Sequence, residues 1–261
     1  MKTKALAQGQ IHSGFATAEE YLELLTAAED GQNSPYVRPR DASALIIIDY
    51  KGRKPRVLMG RRHPDMIFMP NLYVFPGGRL EQFDRSMPVY GVLDADSERR
   101  LQADVQRPTP ARARGLAAAA VRELYEETGL LMGCTDLGAP DSPCADWEAF
   151  QNHGVFPDLG ALTFVARAIT PPRRLRRYDT RFFAADARGI CGEVPGMVGP
   201  DKEFVDLRWL TFDETRSMEL ANVTRVVLEE LAARIEAGFH ARLPVPSYAM
   251  RYGRLVRTLL A

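Results

Sequence analysis

The stretch ARGLAAAAVRELYEETG, residues 113 to 129, constrains this chain more than any other. Alanine, leucine and glutamate favour helix, and Gly129 supplies a stop. At about 100° per residue, Glu123, Glu126 and Glu127 fall within an arc of roughly 100°. Ala117, Ala118, Val121, Leu124 and Tyr125 fall on the opposite side. Such a helix buries one face and projects three carboxylates from the other. Like charges at this spacing repel. Either the carboxylates form a solvated face, or a positive group sits among them. Three hard anionic oxygen donors suit a Mg²⁺ or Mn²⁺ ion, which would cancel the repulsion.

The rest of the chain reads as alternating strands and helices. SALIIIDY (43 to 50) and RVLMGRR (56 to 62) are strand runs joined by a KGRKP turn. LYVFPGGRL (72 to 80) begins as a strand and ends in a Pro-Gly-Gly turn. Residues 85 to 115 carry three prolines and the charged run DADSERRLQADVQR, and read as a surface insertion with one short helix. Further strands are expected at 161 to 170, 181 to 187 and 203 to 210, with a turn-rich loop at 189 to 200. DWEAF (146 to 150), FDETRSM and the amphipathic NVTRVVLEELAARIEAG (222 to 238) read as helices. The domain division expected is an arm at 1–40 with a short helix at 17 to 30, a central domain at 41–240, and a tail at 241–261 of no assigned structure. This alternation suggests an α/β domain with helices on both faces of a sheet.

Charge and cysteine usage narrow the function. Lysine plus arginine equals aspartate plus glutamate, 34 each, so general nucleic-acid binding is not expected. Three scattered cysteines without a C-x-x-C pair disfavour a disulfide framework and suit a reducing compartment. No apolar signal-peptide core and no membrane-length apolar run is present, so a cytoplasmic location is expected. There is no G-x-S-x-G, P-loop or H-E-x-x-H pattern, and the four histidines are scattered.

The helix gains weight from FPGGRLEQFD just upstream. Together the two stretches resemble the Nudix box of the Nudix hydrolases: G, five residues, E, seven residues, then R-E-U-x-E-E-x-G-U with U aliphatic. Arg122, Glu123, Leu124, Glu126, Glu127, Gly129 and Leu130 match the second half. Chance agreement at its five fixed positions is on the order of 10⁻⁶ per position at ordinary residue usage, so the solvated-face alternative recedes. In the first half, five residues after Gly78 stands Asp84 rather than glutamate, and 37 residues rather than seven separate it from Arg122. Such a split box resembles the branch containing the coenzyme A diphosphatases and their bacterial relatives, with FMPNLYVFPGGRLE and AITPPRRLRRYDTRFF as further points of similarity.

The resemblance implies a Nudix α/β/α sandwich with a mixed sheet, and cleavage of the diphosphate in a nucleoside diphosphate derivative. Coenzyme A or an acyl-coenzyme A is the first expectation. ADP-ribose, NADH or a nucleotide sugar is the alternative, and a non-catalytic binding protein of the same fold is the third reading. It also implies that Glu123, Glu126 and Glu127 hold Mg²⁺ or Mn²⁺, that the Gly78 carbonyl joins them, and that one glutamate serves as base. Arg122 would orient a glutamate by ion pairing. Glu203, after a glycine-rich loop, is a candidate additional base or ligand. Arg61, Arg62, Phe68, Arg177 and Arg181 are candidates for substrate binding, the arginines through forked hydrogen bonds to phosphate. Glu81 and Asp84 are either part of the metal site or bystanders. A homodimer is a further expectation from the family.

Overall fold

The computed structural model describes residues 35–260. The helix expected at residues 17 to 30 lies outside them. Eleven strands are present among the described residues. In chain order these are β1 (Arg40–Asp49), β2 (Arg56–Arg62), β3 (Tyr73–Val74), β4 (Gly77–Arg79), β5 (Leu130–Met132), β6 (Thr163–Ile169), β7 (Tyr178–Asp186), β8 (Ile190–Glu193), β9 (Phe204–Thr211), β10 (Val245–Arg251) and β11 (Arg254–Leu260). The α-helices are α1 (Ala95–Leu101), α2 (Pro110–Thr128), α3 (Glu148–Asn152), α4 (Phe212–Arg216) and α5 (Asn222–Glu236).

Nine strands make one mixed sheet, in the order β11-β10-β6-β7-β1-β2-β3, with β4 on β1 and β9 on β2. The β1–β7 and β10–β6 pairs are parallel, and the other pairs in this sheet are antiparallel. Strand alternation sorts β1 between two cores. Leu45 and Ile47 face α2 with Leu58, Phe183 and Ala185. Ala44, Ile46 and Ile48 face α5 with Met59, Phe182 and Ala184, where Val227, Leu228 and Leu231 cover them. The α/β/α sandwich expected from the sequence is present.

α2 carries the carboxylates, and its placement follows from local chemistry. The Thr109 side chain caps its N-terminus by accepting the Arg112 N–H at 3.1 Å, and Pro110 occupies the first turn. Gly129, at φ 79°, ends it in the left-handed region. Ala117 to Ala120 are completely buried. Four small side chains in succession let the helix backbone lie close to the sheet, and this brings its carboxylate face up to the edge of β4.

Two expectations change, and the tail, given no structure from the sequence, acquires one. GGR is a strand rather than a turn, because Gly77, Gly78 and Arg79 pair with Ala44, Ser43 and Ala42 of β1. The loop at 189 to 200 contains β8, which pairs with β5 in a separate two-stranded sheet. The tail at 241–261 is the β10–β11 hairpin, which extends the main sheet beside β6 and buries Val245, Tyr248 and Leu260.

The segment at 85–115 is not merely superficial. It contains α1, as expected, but Met87, Leu93 and Leu101 enter the α2-side core. Arg100 is buried and donates to the carbonyls of Ala241 and Arg242. Arg99 of the same helix stays exposed, as does Val92 before it.

Candidate active site

The carboxylate face of α2 meets β4, the end of β2 and the loop before β9. Glu127 is buried, and its Oε2 accepts the Gly77 N–H at 2.8 Å. Arg62 Nη1 lies 3.7 Å from Glu127 Oε1 and 2.8 Å from Glu203 Oε1. Glu203 therefore lies beside Glu127, with Arg62 between them. Gly78 sits against Glu123, and a β-carbon there would fall 2.3 Å from Glu123 Oε1. Only glycine leaves room for that carboxylate.

Arg122 organises the other half. It is buried, and its Nη1 lies 2.9 Å from Glu123 Oε1 and 2.8 Å from Glu126 Oε2. Its Nε and Nη2 grip the Asp84 carboxylate at 2.8 and 3.2 Å, and Nη2 also donates to the Arg79 carbonyl at 2.9 Å. Asp84 is wholly buried and takes two more donors, the Glu81 N–H at 2.8 Å and the Trp147 indole N–H at 3.2 Å. It is thus an internal anchor for Arg122. Glu81 is partly exposed and lies 3.4 Å from Arg79.

The electrostatics are those of crowded acids. Burial, with the nearby Glu126 and Glu203 charges, pushes the Glu123 carboxyl up to about 7 against the attraction of Arg122. Glu127 is raised well above the ordinary glutamate value by burial and by Glu203 and Glu123. Burial also raises Glu126, opposed by Arg122. Four glutamates face two arginines, so the cluster has a deficit of positive charge. Among the described residues, no three histidine, cysteine or acidic side chains stand in a metal-holding arrangement. The reason is visible: Arg122 draws Glu123 and Glu126 to itself, while Gly77 holds Glu127. Donor type and charge fit a hard divalent cation.

A groove of about 430 Å³ runs along this face, lined by Arg79, Phe83, Glu123, Tyr125 and Glu126 among others. A larger hollow of about 550 Å³ lies at the other end of β1, between Asp49 and Asp186, and contains none of these glutamates. Glu123 and Glu126 line the first of these, whereas Glu127 and Glu203 stand beside Arg62 outside it.

The expected substrate contacts divide. Phe68 is half-buried beside Tyr178, ring centroids 5.5 Å apart, and its carbonyl accepts from Arg62 Nε at 3.0 Å. It therefore borders the site. Arg61 does not, because strand alternation places it with Met59 on the α5 side, where its charge acts on Tyr73 and Asp206. Arg177 is buried and donates to the carbonyls of Thr170 and Val37. Arg181 is wholly buried in β7, 2.8 Å from Asp41 and 3.1 Å from Asp179. Both were expected to meet phosphate, but the strand beginning at Tyr178 turns Arg181 inward. Arg173 and Arg176 of the same run stay exposed. Sequence reasoning missed Trp147; its place inside a short helical run gave no sign of the Asp84 contact.

No protein-family model matches the sequence, and no curated protein does. Solved structures do match. The NUDIX hydrolase from Alicyclobacillus acidocaldarius aligns over 78% of this chain and 96% of its own, with TM-score 0.56 and 23% identity. RenU, a Nudix hydrolase from M. Smegmatis, aligns over 81% and 97%, with TM-score 0.42 and 17% identity. The NUDIX domain of Shewanella oneidensis NrtR, complexed with ADP ribose, aligns over 84% and 99%, with TM-score 0.42 and 13% identity. By its likeness to the first of these, the described chain has the Nudix hydrolase fold.

Proposed function

We propose that this protein is a divalent-metal-dependent hydrolase that cleaves the diphosphate linkage of a nucleoside diphosphate derivative. The observation that carries the proposal is the gathering of Glu123, Glu126, Glu127 and Glu203 around Gly78, Arg122 and Arg62. A diphosphate is itself anionic, so acids so crowded need a cation before such a substrate can approach. Glu123, Glu126 and Glu127, with the Gly78 carbonyl, would hold Mg²⁺ or Mn²⁺. The metal would polarise phosphoryl oxygens and lower the pKa of a bound water.

The chain's own residues supply the rest. Arg122 holds Glu123 and Glu126 on one side of the groove and is itself fixed by Asp84. Arg62 keeps Glu203 beside Glu127, and one of the two takes the proton from the attacking water. Phe68, with the exposed Arg173 and Arg176, is a candidate for the parts of the substrate beyond the diphosphate. Coenzyme A or an acyl-coenzyme A is the first substrate to test, on the resemblance of the split box. ADP-ribose, NADH or a nucleotide sugar follows.

A binding protein of the same fold is the second reading. It is favoured by the pairing of the acids with Arg122 and Gly77 in place of a ready metal site. One experiment separates the two. The protein is incubated with Mg²⁺ or Mn²⁺ and coenzyme A, acetyl-coenzyme A, NADH, ADP-ribose, a nucleotide sugar or a dinucleoside polyphosphate, and products are identified by mass. Phosphopantetheine with 3′,5′-ADP supports the first substrate. Cleavage elsewhere in the panel keeps the chemistry and moves the specificity. Intact substrates throughout would overturn the hydrolase reading.

A further inference from the structure

The hydrolase reading gives Trp147 no task, yet of the three residues that donate to Asp84 it lies farthest along the chain, 63 residues away. We propose that Trp147 is a positioning residue: by holding Asp84 it fixes Arg122, and through Arg122 the side chains of Glu123 and Glu126. This rests on the hydrolase reading.

The argument starts from the length of aspartate. The box pattern has glutamate at this position, and aspartate is shorter by one methylene, about 1.5 Å. A carboxylate so deeply buried needs its lone pairs occupied. Asp84 Oδ1 accepts from Arg122 Nε at 2.8 Å and from Trp147 Nε1 at 3.2 Å. Oδ2 accepts from the Glu81 N–H at 2.8 Å and from Arg122 Nη2 at 3.2 Å. The two donors besides Arg122 take one oxygen each, Trp147 on Oδ1 and the Glu81 N–H on Oδ2, so the orientation of the carboxylate does not rest on the guanidinium alone.

The indole is itself fixed. Trp147 is fully buried, and its ring meets Phe150 edge-on with centroids 4.8 Å apart. Phe83 lies against the Arg122 guanidinium at 5.5 Å, and the Arg79 carbonyl holds its Nη2. With Nε and Nη2 committed, Nη1 is the nitrogen left for Glu123 and Glu126. Loss of the indole donor frees Asp84 to rotate, and the error passes to both glutamates.

Reciprocal rescue separates this role from plain core filling. Four proteins are compared: the unaltered chain, Trp147→Phe, Asp84→Glu, and both together. Each is measured for Mn²⁺ affinity, for kcat and KM on the cleaved diphosphate, and for thermal midpoint. Trp147→Phe should lower kcat and Mn²⁺ affinity by about 10-fold each with KM little changed, as loss of a group that orients metal ligands does. Asp84→Glu alone should also impair, because the indole occupies the space the longer acid needs. The double variant should recover to within about 3-fold of the unaltered chain, since glutamate then spans the space the indole leaves. Normal kcat and Mn²⁺ affinity in Trp147→Phe, or a double variant as poor as the two losses multiplied, would overturn the role. Should Trp147→Phe not fold, benzothienylalanine at position 147 keeps the shape and removes only the donor, and the same losses are expected. Failure of the positioning role alone would leave the unaltered chain active. An unaltered chain that neither binds Mn²⁺ nor cleaves any diphosphate would overturn the hydrolase reading and this role with it.

Discussion

Gly78 lies so close to Glu123 that a β-carbon on it would stand 2.3 Å from Oε1 and 2.4 Å from Cδ of that glutamate. Its neighbour Gly77 faces backbone instead, with a β-carbon position 2.6 Å from the Ser43 carbonyl oxygen and 2.7 Å from the Ala44 Cα. The two glycines therefore fail differently. Gly78→Ala pushes aside a flexible carboxylate, so it should keep the thermal midpoint within a few degrees while reducing turnover about 10-fold or more. Gly77→Ala forces strands apart and should cost about 1–3 kcal/mol in urea unfolding. Equal stability losses in both, with equal activity, would remove Gly78 from the site.

Glu127 combines burial with two partners, the Gly77 N–H and Arg62. Glu127→Gln keeps a carbonyl oxygen to accept from Gly77 and removes the negative charge. The fold should persist, because a neutral group at this depth has less desolvation to overcome. Turnover should drop by at least about 100-fold, beyond the loss usual for a group one step removed from a metal. Normal turnover in the presence of Mg²⁺ would show that Glu127 holds no metal.

The segment between the halves of the box invites a prediction about stability. Leu101 is buried in the α2-side core with Met87 and Leu93. Leu101→Ala should cost about 2–4 kcal/mol, a fall of roughly 5–15 °C in thermal midpoint. A segment lying only on the surface would change the midpoint hardly at all, and its truncation would alter substrate choice alone.

What the sequence disclosed, and what it withheld, follows from the range of the interactions. The C-terminal end of α2 was legible because the alanine run and Gly129 act within a few residues of themselves, whereas its start at Pro110 was read into the segment before it. The carboxylate arc was legible because helix periodicity fixes it. Arg181 was not, because its direction depends on where β7 begins, and its partner Asp41 is on another strand. Trp147 was not, because its bond to Asp84 reaches across α1, α2 and β5 in the chain. The β10–β11 hairpin did leave a local signal. Tyr252 and Gly253, at φ 51° and 77°, form the two-residue turn, and the paired positions Arg251 and Arg254 flank it. Two positive φ angles favour the tight hairpin turn, and tyrosine in the first position obscured it.

Asp41 supplies a test by pH. It ties β1 to α2 and β7, receiving Arg112 Nε and Nη2 at 2.7 and 2.6 Å and Arg181 Nη1 at 2.8 Å. Burial acts to raise its carboxyl, but the Arg112 hydrogen bond and the Arg181 charge outweigh it and hold the group below its ordinary 3.8. A folded-state value below the unfolded one means that the unfolded chain binds the proton more readily. The stabilisation is then complete above the unfolded value and is lost as pH falls through the folded one. Urea unfolding of the unaltered chain should weaken below about pH 4. Asp41→Asn should be less stable at pH 7 and show a shallower decline in acid, so that the two stability curves converge toward pH 2. Parallel curves across that range would mean that Asp41 gains nothing from its arginines on folding.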